Sequence, residues 1–281
     1  MPKLISFKTQ KKPSGFLFCG GLLNSNDSKT SPISGGIAMT GVADTNIIRD
    51  VVMWEIRGTG TEVGYGSEVR VLGGRVIGAN VRFDENIGIH YRGNNGGVHV
   101  ENTDVIGLGI GMLIDNSNGA GSNREIFINQ ATFDSDGQGL VVRDSSYVSI
   151  IGIWATSSTI HQVFVDYNST AVLSISGGTI FNGGVYECPN VSNRCNGITI
   201  NSGSFILNGV EVRNKHGRGI WVTNKSVTQF QIISCRLFEN EQEMNSDGTS
   251  FIISNNLCNS NNVPNVISNT TSALVQDNLN C

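Results

Sequence analysis

Apolar and polar residues alternate in short runs along most of this 281-residue chain, and glycine and asparagine clusters separate the runs. Successive side chains of a β-strand point to opposite faces, so alternation with a period of two is typical of strands. No stretch of ten residues combines a 3.6-residue apolar period with helix caps. The pattern therefore predicts many short strands joined by turns.

One motif recurs through the chain: glycine or glutamine, then an apolar, a variable, an apolar and a polar residue. Its copies begin at Gly88, Gly111, Gly139, Gln162, Gly197 and Gly219. A second element, apolar–variable–apolar, lies at residues 98–100, 126–128, 148–150, 173–175, 205–207 and 230–232. Two or three short strands in each 22–28 residues are typical of one coil of a parallel β-solenoid. The repeat predicts an all-β fold, a right-handed single-stranded parallel β-helix of about 8–9 coils.

The same repeat predicts how the chain is divided. A βαβ fold would need helical patterns between the strands, and a β-sandwich would not keep one register at a nearly constant step. Residues 36–272 are the predicted β-helix domain, residues 1–35 a separate N-terminal segment and residues 273–281 the C-terminal end. The longest step between copies, 35 residues, predicts an inserted loop near residues 183–196.

Alternate positions of the motif are predicted to face the interior as apolar columns. These columns contain Ile110, Met112, Ile114, Leu140, Val142, Val163, Val165, Ile198, Ile200, Ile220 and Val222. The outward column between them contains His90, Leu113, Val141, Phe164, Thr199 and Trp221. An apolar stripe on the outside is typical of an interface, so this column predicts an oligomer. A neighbouring column predicts either a ladder of ion pairs or part of the same contact: Arg92, Asp115, Arg143 and Asp166.

Composition excludes several partners. The formal net charge is −4 and the basic residues do not cluster beyond Lys11 and Lys12, so we expect no nucleic-acid partner. The absence of an apolar run of roughly 18 residues and of a secretory signal predicts no membrane insertion and synthesis in the cytoplasm. The six cysteines lack metal-binding spacing, so we expect no metal, no cofactor and reduced thiols, with Cys188–Cys195 as the alternative pair.

Three runs resemble a known family. Residues 147–158 (YVSIIGIWATSS), 173–184 (LSISGGTIFNGG) and 196–214 (NGITINSGSFILNGVEVRN) are similar, in order and spacing, to tailspikes of short-tailed phages that attack O-antigen polysaccharide. These tailspikes are pectate-lyase-like β-helices, and the likeness covers roughly residues 35–260. It implies a homotrimer of the virion tail that attaches to the bacterial host by binding and hydrolysing its surface polysaccharide. The chain is shorter than members of the family, which predicts a truncated remnant.

Hydrolysis of a glycosidic bond uses one carboxyl group as an acid and another as a base or nucleophile, about 5–9.5 Å apart. The family places such pairs on a long surface groove, which points to Glu55 with Asp84 or Glu85 as the catalytic pair. Their separation of 29–30 residues is slightly more than one coil. Trp54 would offer a sugar an aromatic face. The predicted groove contacts are Trp54, His90, Tyr91 and Arg92.

Other interpretations stay open. Acidic residues at β-helix corners often accept backbone hydrogen bonds or keep the surface soluble. Glu101 with Asp134 or Asp136 is a second candidate pair. The remaining candidate functions are a module that binds polysaccharide without cleaving it and a polysaccharide lyase, although the sequence has no tight Asp cluster of the kind that holds Ca²⁺ in lyases.

Overall fold

The structure, a computed structural model, shows short strands joined by turns along the described parts of the chain. The described residues are 5–7, 17–24, 35–39, 43–79, 86–144, 146–183, 195–223, 226–240, 242–248, 250–259, 266–267 and 272–281. All regular secondary structure in these ranges is β-strand. None of it is a helix long and apolar enough to cross a membrane.

The strands are short and follow one another closely. The first seventeen are β1 (Ile5–Phe7), β2 (Leu17–Asn24), β3 (Ile37–Met39), β4 (Ala43–Asp44), β5 (Ile47–Ile56), β6 (Thr59–Val63), β7 (Gly66–Ser67), β8 (Arg70–Leu72), β9 (Arg75–Gly78), β10 (Ile87–Arg92), β11 (Asn95–Gly96), β12 (Val98–Glu101), β13 (Asp104–Ile106), β14 (Ile110–Asp115), β15 (Glu125–Asn129), β16 (Thr132–Asp134) and β17 (Gln138–Val142). The others are β18 (Tyr147–Thr156), β19 (His161–Val165), β20 (Val172–Gly183), β21 (Asn196–Ile200), β22 (Gly203–Asn208), β23 (Glu211–Lys215), β24 (Arg218–Val222), β25 (Val227–Ile233), β26 (Arg236–Phe238), β27 (Gln242–Ser246), β28 (Ser250–Ser254), β29 (Leu257–Asn259), β30 (Val266–Ile267) and β31 (Ser272–Gln276).

Each strand pairs in parallel with the equivalent strand of the next coil. Sheet 1 has the order β1-β3-β6-β10-β14-β17-β19-β21-β24-β27-β30. Sheet 3 contains only β4, β7 and β11, and sheet 2 contains the other strands. This stacking confirms the predicted right-handed parallel β-helix, with about eight turns. Short strands at both ends add partial coils.

Sheet 2 bends once in each coil, which gives the solenoid three faces. Separate strands such as β12 and β13 flank the bend in most coils, whereas β5, β18 and β20 run through it. The residues at the bend have positive φ angles: Asp50, Gly73, Asn102, Gln130, Gly152, Gly177, Gly209, Ser234, Asn255 and Asp277. Glycine, asparagine and aspartate adopt this left-handed conformation more readily than most residues. The bend therefore explains why they recur at regular intervals in the sequence.

The predicted apolar columns fill the interior. Ile114 pairs with Val142, and the column continues through Val165 to Ile200. Each of these side chains is at most 1% exposed. Residues 22–35 positions apart in the sequence thus stack directly on one another, as the repeat predicted.

Four of the six residues of the outward column of sheet 1 are buried within the single chain, and Phe164 and Trp221 are partly buried, so the predicted exposed stripe is wrong. Leu113 and Val141 are 3% and 0% exposed. With Ile87, Ile110 and Phe164 they form a second hydrophobic cluster, separate from the main core. Ile110, predicted to lie in an inward column, therefore belongs to this second cluster. Because the chain already covers these side chains, they do not support a subunit contact. The homotrimer stays a prediction from the resemblance.

The solenoid continues past the predicted domain limits. β1 pairs with β3, and β2 pairs with β5, so the described parts of residues 1–35 belong to the stack. β31 pairs with β28 and extends past residue 272. The predicted insertion falls between the end of β20 at Gly183 and the start of β21 at Asn196. Its residues 184–194 lie outside the described ranges.

The expectation of reduced thiols is wrong for three of the described cysteines, Cys195, Cys258 and Cys281. Cys258 and Cys281 form a disulfide with their Cα atoms 4.9 Å apart. They are 23 residues apart, which is about one coil, so they meet across adjacent rungs rather than in a loop. Cys19 is a free, exposed thiol. Cys195 is also disulfide-bonded, and its predicted partner at position 188 lies outside the described residues.

Candidate functional site

Trp54 and Glu55 lie in a β-bulge near the end of β5. The pairing of β5 with β9 shifts register between Met53 and Ile56, where β5 has one residue more than β9. Glu55 has a φ angle of 56°, in the left-handed region that few glutamates adopt. Bulges of this kind change the direction in which side chains point. Trp54 is 44% exposed and Glu55 is half-buried beside it.

The predicted partners of Glu55 fall within residues 80–85. They are Asp84 and Glu85, and both lie outside the described residues. The residues on either side of this segment contact the strand that carries Glu55. Ala79 N donates a hydrogen bond to Ile56 O over 3.2 Å, and Asn86 Nδ2 donates to the same oxygen over 3.0 Å. Both flanks of the segment are therefore held next to Glu55.

Trp54 lies at the start of a long outer surface, which we call the third face. It is the outer side of sheet 2 after the bend and consists of two outward columns. The first column contains Arg75, Asp104, Thr132, Trp154, Thr179, Glu211 and Arg236. The second contains Ile77, Ile106, Asp134, Thr156, Phe181, Arg213 and Phe238. Trp54 follows Met53 as Ile77 follows its partner Val76, so it belongs to the second column, and Asn24 pairs with it in the preceding coil.

Aromatic and guanidinium groups pack together on the later coils of the third face. Trp154 is 49% exposed and meets the Phe181 ring edge-on, with centroids 4.9 Å apart. The Arg213 guanidinium carbon lies 5.0 Å from the Phe181 ring centroid and 5.8 Å from that of Phe238. Arg213 Nε is 3.0 Å from Glu211 Oε1. Exposed aromatic planes beside such donors and acceptors can stack on the C–H surface of a sugar and bond its hydroxyl groups.

Two carboxylates of the third face lie between its two tryptophans. Asp104 pairs with Thr132, two residues before Asp134, so the two carboxylates are diagonal neighbours on adjacent coils. From the strand spacing and the rise per residue, diagonal neighbours have Cα atoms about 8 Å apart. Side chains that extend outward in parallel from these positions would bring the two carboxyl groups into the range used in glycoside hydrolysis. Asp104 Oδ2 also lies 3.0 Å from Arg75 Nε.

The second candidate pair is not brought together. Asp136 is 0% exposed, and its Oδ1 accepts a hydrogen bond from Leu108 N over 2.8 Å, so it is an interior corner residue. Glu101 ends β12, before the bend, whereas Asp134 lies after it on the third face. Asp134 therefore stays a candidate catalytic carboxylate only in a pair with Asp104. Asp104 was not predicted from the sequence as a site residue.

The other predicted contacts lie on sheet 1 rather than on the third face. Tyr91 pairs with Ile114 in the inward column and is 0% exposed. Burial raises the pKa of its hydroxyl well above its usual range. Its prediction as a polysaccharide contact is wrong, because the alternation of the strand places it in the core. His90 faces outward but is only 7% exposed.

His90 and Arg92 belong to a polar network on sheet 1. His90 Nε2 lies 3.0 Å from Asp115 Oδ1, to which Ser117 Oγ donates over 2.8 Å. Arg92 Nε donates to Ser117 Oγ, and Arg92 Nη1 is 2.8 Å from Glu62 Oε1. Burial raises the pKa of Asp115, but the contacts with His90 and Ser117 outweigh it, so the pKa lies below its ordinary value.

The predicted ladder of ion pairs forms only in part. Arg143 Nε lies 3.4 Å from Asp166 Oδ2, as predicted. The ion pair of Arg92 is with a glutamate of the preceding coil rather than with Asp115. The column of Arg92, Asp115, Arg143 and Asp166 therefore does not form one continuous ladder of ion pairs, and its residues make separate polar contacts.

The sequence interpretation found the start of the third face and missed its continuation. The two elements of the sequence repeat correspond to the strands of sheet 1 and to the part of sheet 2 that precedes the bend. Each coil has a third element, three residues with an inward apolar residue in the middle, as in residues 154–156, 179–181 and 211–213. Aligning these triplets would have placed Trp154, Phe181 and Arg213 on one surface.

Among the described residues, no group of three or more His, Cys, Asp or Glu side chains could hold a metal ion. No family model, curated protein or solved structure matches the chain. The structure defines the class of protein as a parallel β-helix, compatible with the pectate-lyase-like superfamily.

Proposed function

We propose that the chain is a tailspike-type endoglycosidase that binds and hydrolyses bacterial surface polysaccharide, the O-antigen of lipopolysaccharide. The observation that supports it most is the third face. A bulge with an outward tryptophan and a half-buried glutamate stands at its start, and aromatic and charged side chains follow along the helix axis. The virion-tail location and the homotrimer belong to the same proposal and rest on the resemblance.

A polysaccharide would lie along the helix axis. Trp54 and Phe181 are five coils apart in the same column, which is about 24 Å at the usual strand spacing. A chain of several sugars can therefore contact both. Trp154 would add a second stacking plane next to Phe181.

Cleavage would take place at the Trp54 end. Glu55 and a carboxyl group from residues 80–85, Asp84 or Glu85, would form the pair. One protonates the glycosidic oxygen, and the other activates water or attacks the anomeric carbon. Asp104 with Asp134 is the alternative pair on the same face.

A module that binds without cleaving is the second candidate function. It is favoured by the position of the Trp154 cluster, four to seven coils from Glu55. It is also favoured by the contact of Asp104 with Arg75, which already engages that carboxylate in an ion pair.

The test is incubation with purified O-polysaccharides of several serotypes, followed by separation of the oligosaccharides released. For a cleaved polysaccharide, we expect Glu55→Gln to lower kcat by roughly 10²–10⁴-fold, the usual contribution of acid–base catalysis. Trp154→Ala should weaken binding more than it lowers kcat. Tyr167→Ala is the matched control, because Tyr167 is 58% exposed and lies after β19, away from the third face.

The outcomes separate the candidates. Binding without products, unchanged by Glu55→Gln, would favour the binding module. Products with an unsaturated uronate end would indicate a lyase. Neither binding nor products with any polysaccharide, from folded protein, would contradict both proposals.

A further inference from the structure

The last coil is attached mainly by polar contacts. β31 pairs with β28 from Ser272 to Gln276. Asn256 N and Nδ2 donate to Asn278 Oδ1 over 3.0 and 2.9 Å. Leu279 N donates to Asn256 O, and Cys258 N donates to Leu279 O, each over 2.9 Å. Segments held mainly by hydrogen bonds near solvent open readily.

Apolar burial adds little to this attachment. Leu274, Val275 and Leu279 are 47%, 48% and 61% exposed. Val275 pairs with Ile253 of the preceding coil, which is 0% exposed. In this inward column of sheet 2 the side chain of Ile253 is fully buried, whereas that of Val275 in the next coil is about half exposed.

The disulfide joins this segment to the core. Cys258 pairs with Leu237 in the inward column of sheet 2 and is 1% exposed. Cys281 packs against the hydrophobic core from the edge. The bond closes a loop with a sequence separation of 23 residues, so it limits how far the last coil can move from the stack.

We propose that the Cys258–Cys281 disulfide is a redox-dependent lock on the last coil. In a reducing cytoplasm both sulfurs are thiols, and only the hydrogen bonds and the partly buried side chains of the coil hold it closed. Once the protein meets an oxidising exterior, the two thiols give up two electrons and two protons to dioxygen or to a small-molecule disulfide. The S–S bond that forms then holds the coil closed.

The other thiols favour this one pairing. Cys235 is 1% exposed, and burial raises its pKa to about 11, so it stays protonated at neutral pH and attacks disulfides slowly. Cys19 lies in β2, at the opposite end of the stack. Cys235 lies in the coil next to the bond but reacts slowly, Cys19 is remote from it, and Cys195 is engaged in another disulfide.

Hydrogen–deuterium exchange followed by mass spectrometry tests the lock. We expect the amides of β28 and β31 to exchange about 30-fold faster or more when a phosphine reductant is added, as loss of a disulfide predicts. Amides of β14 should not change. Cys281→Ser should reproduce the effect without reductant, and Cys19→Ser should behave as the unmodified chain.

Alkylation under denaturing conditions gives an independent measurement. Protein purified in air should show Cys258 and Cys281 protected, and protein trapped by alkylation inside reducing cells should show both labelled. Labelling of both residues after air oxidation would overturn the proposal. Equal exchange rates of β31 with and without reductant would overturn it as well.

Discussion

The side chain of Gln162 fills the space in the core that a side chain at position 183 would take. A Cβ atom on Gly183 would lie 2.5 Å from Gln162 Nε2, and Gln162 is 0% exposed. In the neighbouring coils the motif has Gly139 and Gly197 where this coil has Gln162, and Lys215 pairs with Gly183. In the next coil the glycine is Gly197 and the long side chain is Lys215, whereas in this coil Gln162 is the long side chain and Gly183 is the glycine.

This exchange predicts that positions 162 and 183 are energetically coupled. We expect Gly183→Ala to lower the free energy of unfolding by about 1–3 kcal/mol, because the new methyl group overpacks the core. In a Gln162→Gly background the same change should cost at least about 0.5 kcal/mol less. A double-mutant cycle in urea measures the difference. Gly96→Ala is the control, since its Cβ would have 3.4 Å to the nearest atom.

The buried amine of Lys215 predicts a dependence of stability on alkaline pH. Lys215 is 3% exposed, and burial lowers its pKa well below the usual 10.5. Between the folded value and 10.5 the unfolded chain binds a proton that the folded chain does not, so stability rises with pH in this window. Lys215→Met should raise the free energy of unfolding at pH 7 by roughly 1–3 kcal/mol.

The gain from Lys215→Met should shrink as the pH rises towards and past 10.5, above which the lysine is neutral in both states. Urea unfolding at pH 7 and pH 10 measures it. An equal gain at both pH values would mean that Lys215 keeps its charge in the folded protein.

A stack of three rings inside sheet 2 predicts a cost for removing the central ring. Phe230 lies between Phe205 and Phe251, with centroids 4.8 Å apart on each side. Phe230→Ala should lower the free energy of unfolding by about 3–5 kcal/mol, because it leaves a cavity among fully buried residues. Phe230→Leu, which leaves a smaller cavity, should cost less. Denaturant melts that ranked the two variants in the opposite order would contradict the packing.

The contacts of Asp115 predict a loss of stability in acid. Because its folded pKa lies below the ordinary value of 3.8, Asp115 stabilises the fold above that pH, and the contribution is lost as the pH falls through the folded value. Asp115→Asn should cost about 1–3 kcal/mol at pH 7 and little at pH 2. Asp166→Asn is a suitable control, since its ion pair with Arg143 is half-exposed. A penalty independent of pH would rule out the charge as its cause.

Much of the fold could be predicted from the sequence because a solenoid repeats one local rule. The inward columns through Ile114 and Ile200 follow from alternation within a strand and a nearly constant step between coils. The placement of Tyr91 in the core follows from the same rule, and it was assigned to a groove only because its neighbours His90 and Arg92 are polar.

The remaining features depend on contacts that alternation does not specify. Whether Leu113 is exposed depends on what the chain lays over sheet 1, and strand periodicity gives no information on that. The link between Cys258 and Cys281 depends on the register of the last coil, where the motif is weak. The third face was missed because it combines one or two residues from each coil, none of which forms a motif alone.

The junction between β20 and β21 shows how the helix accommodates extra length at a corner. Twelve residues separate Gly183 from Asn196, yet His161 and Asn196 pair in register when sheet 1 resumes. The scaffold thus tolerates added length at this corner without shifting the rungs on either side.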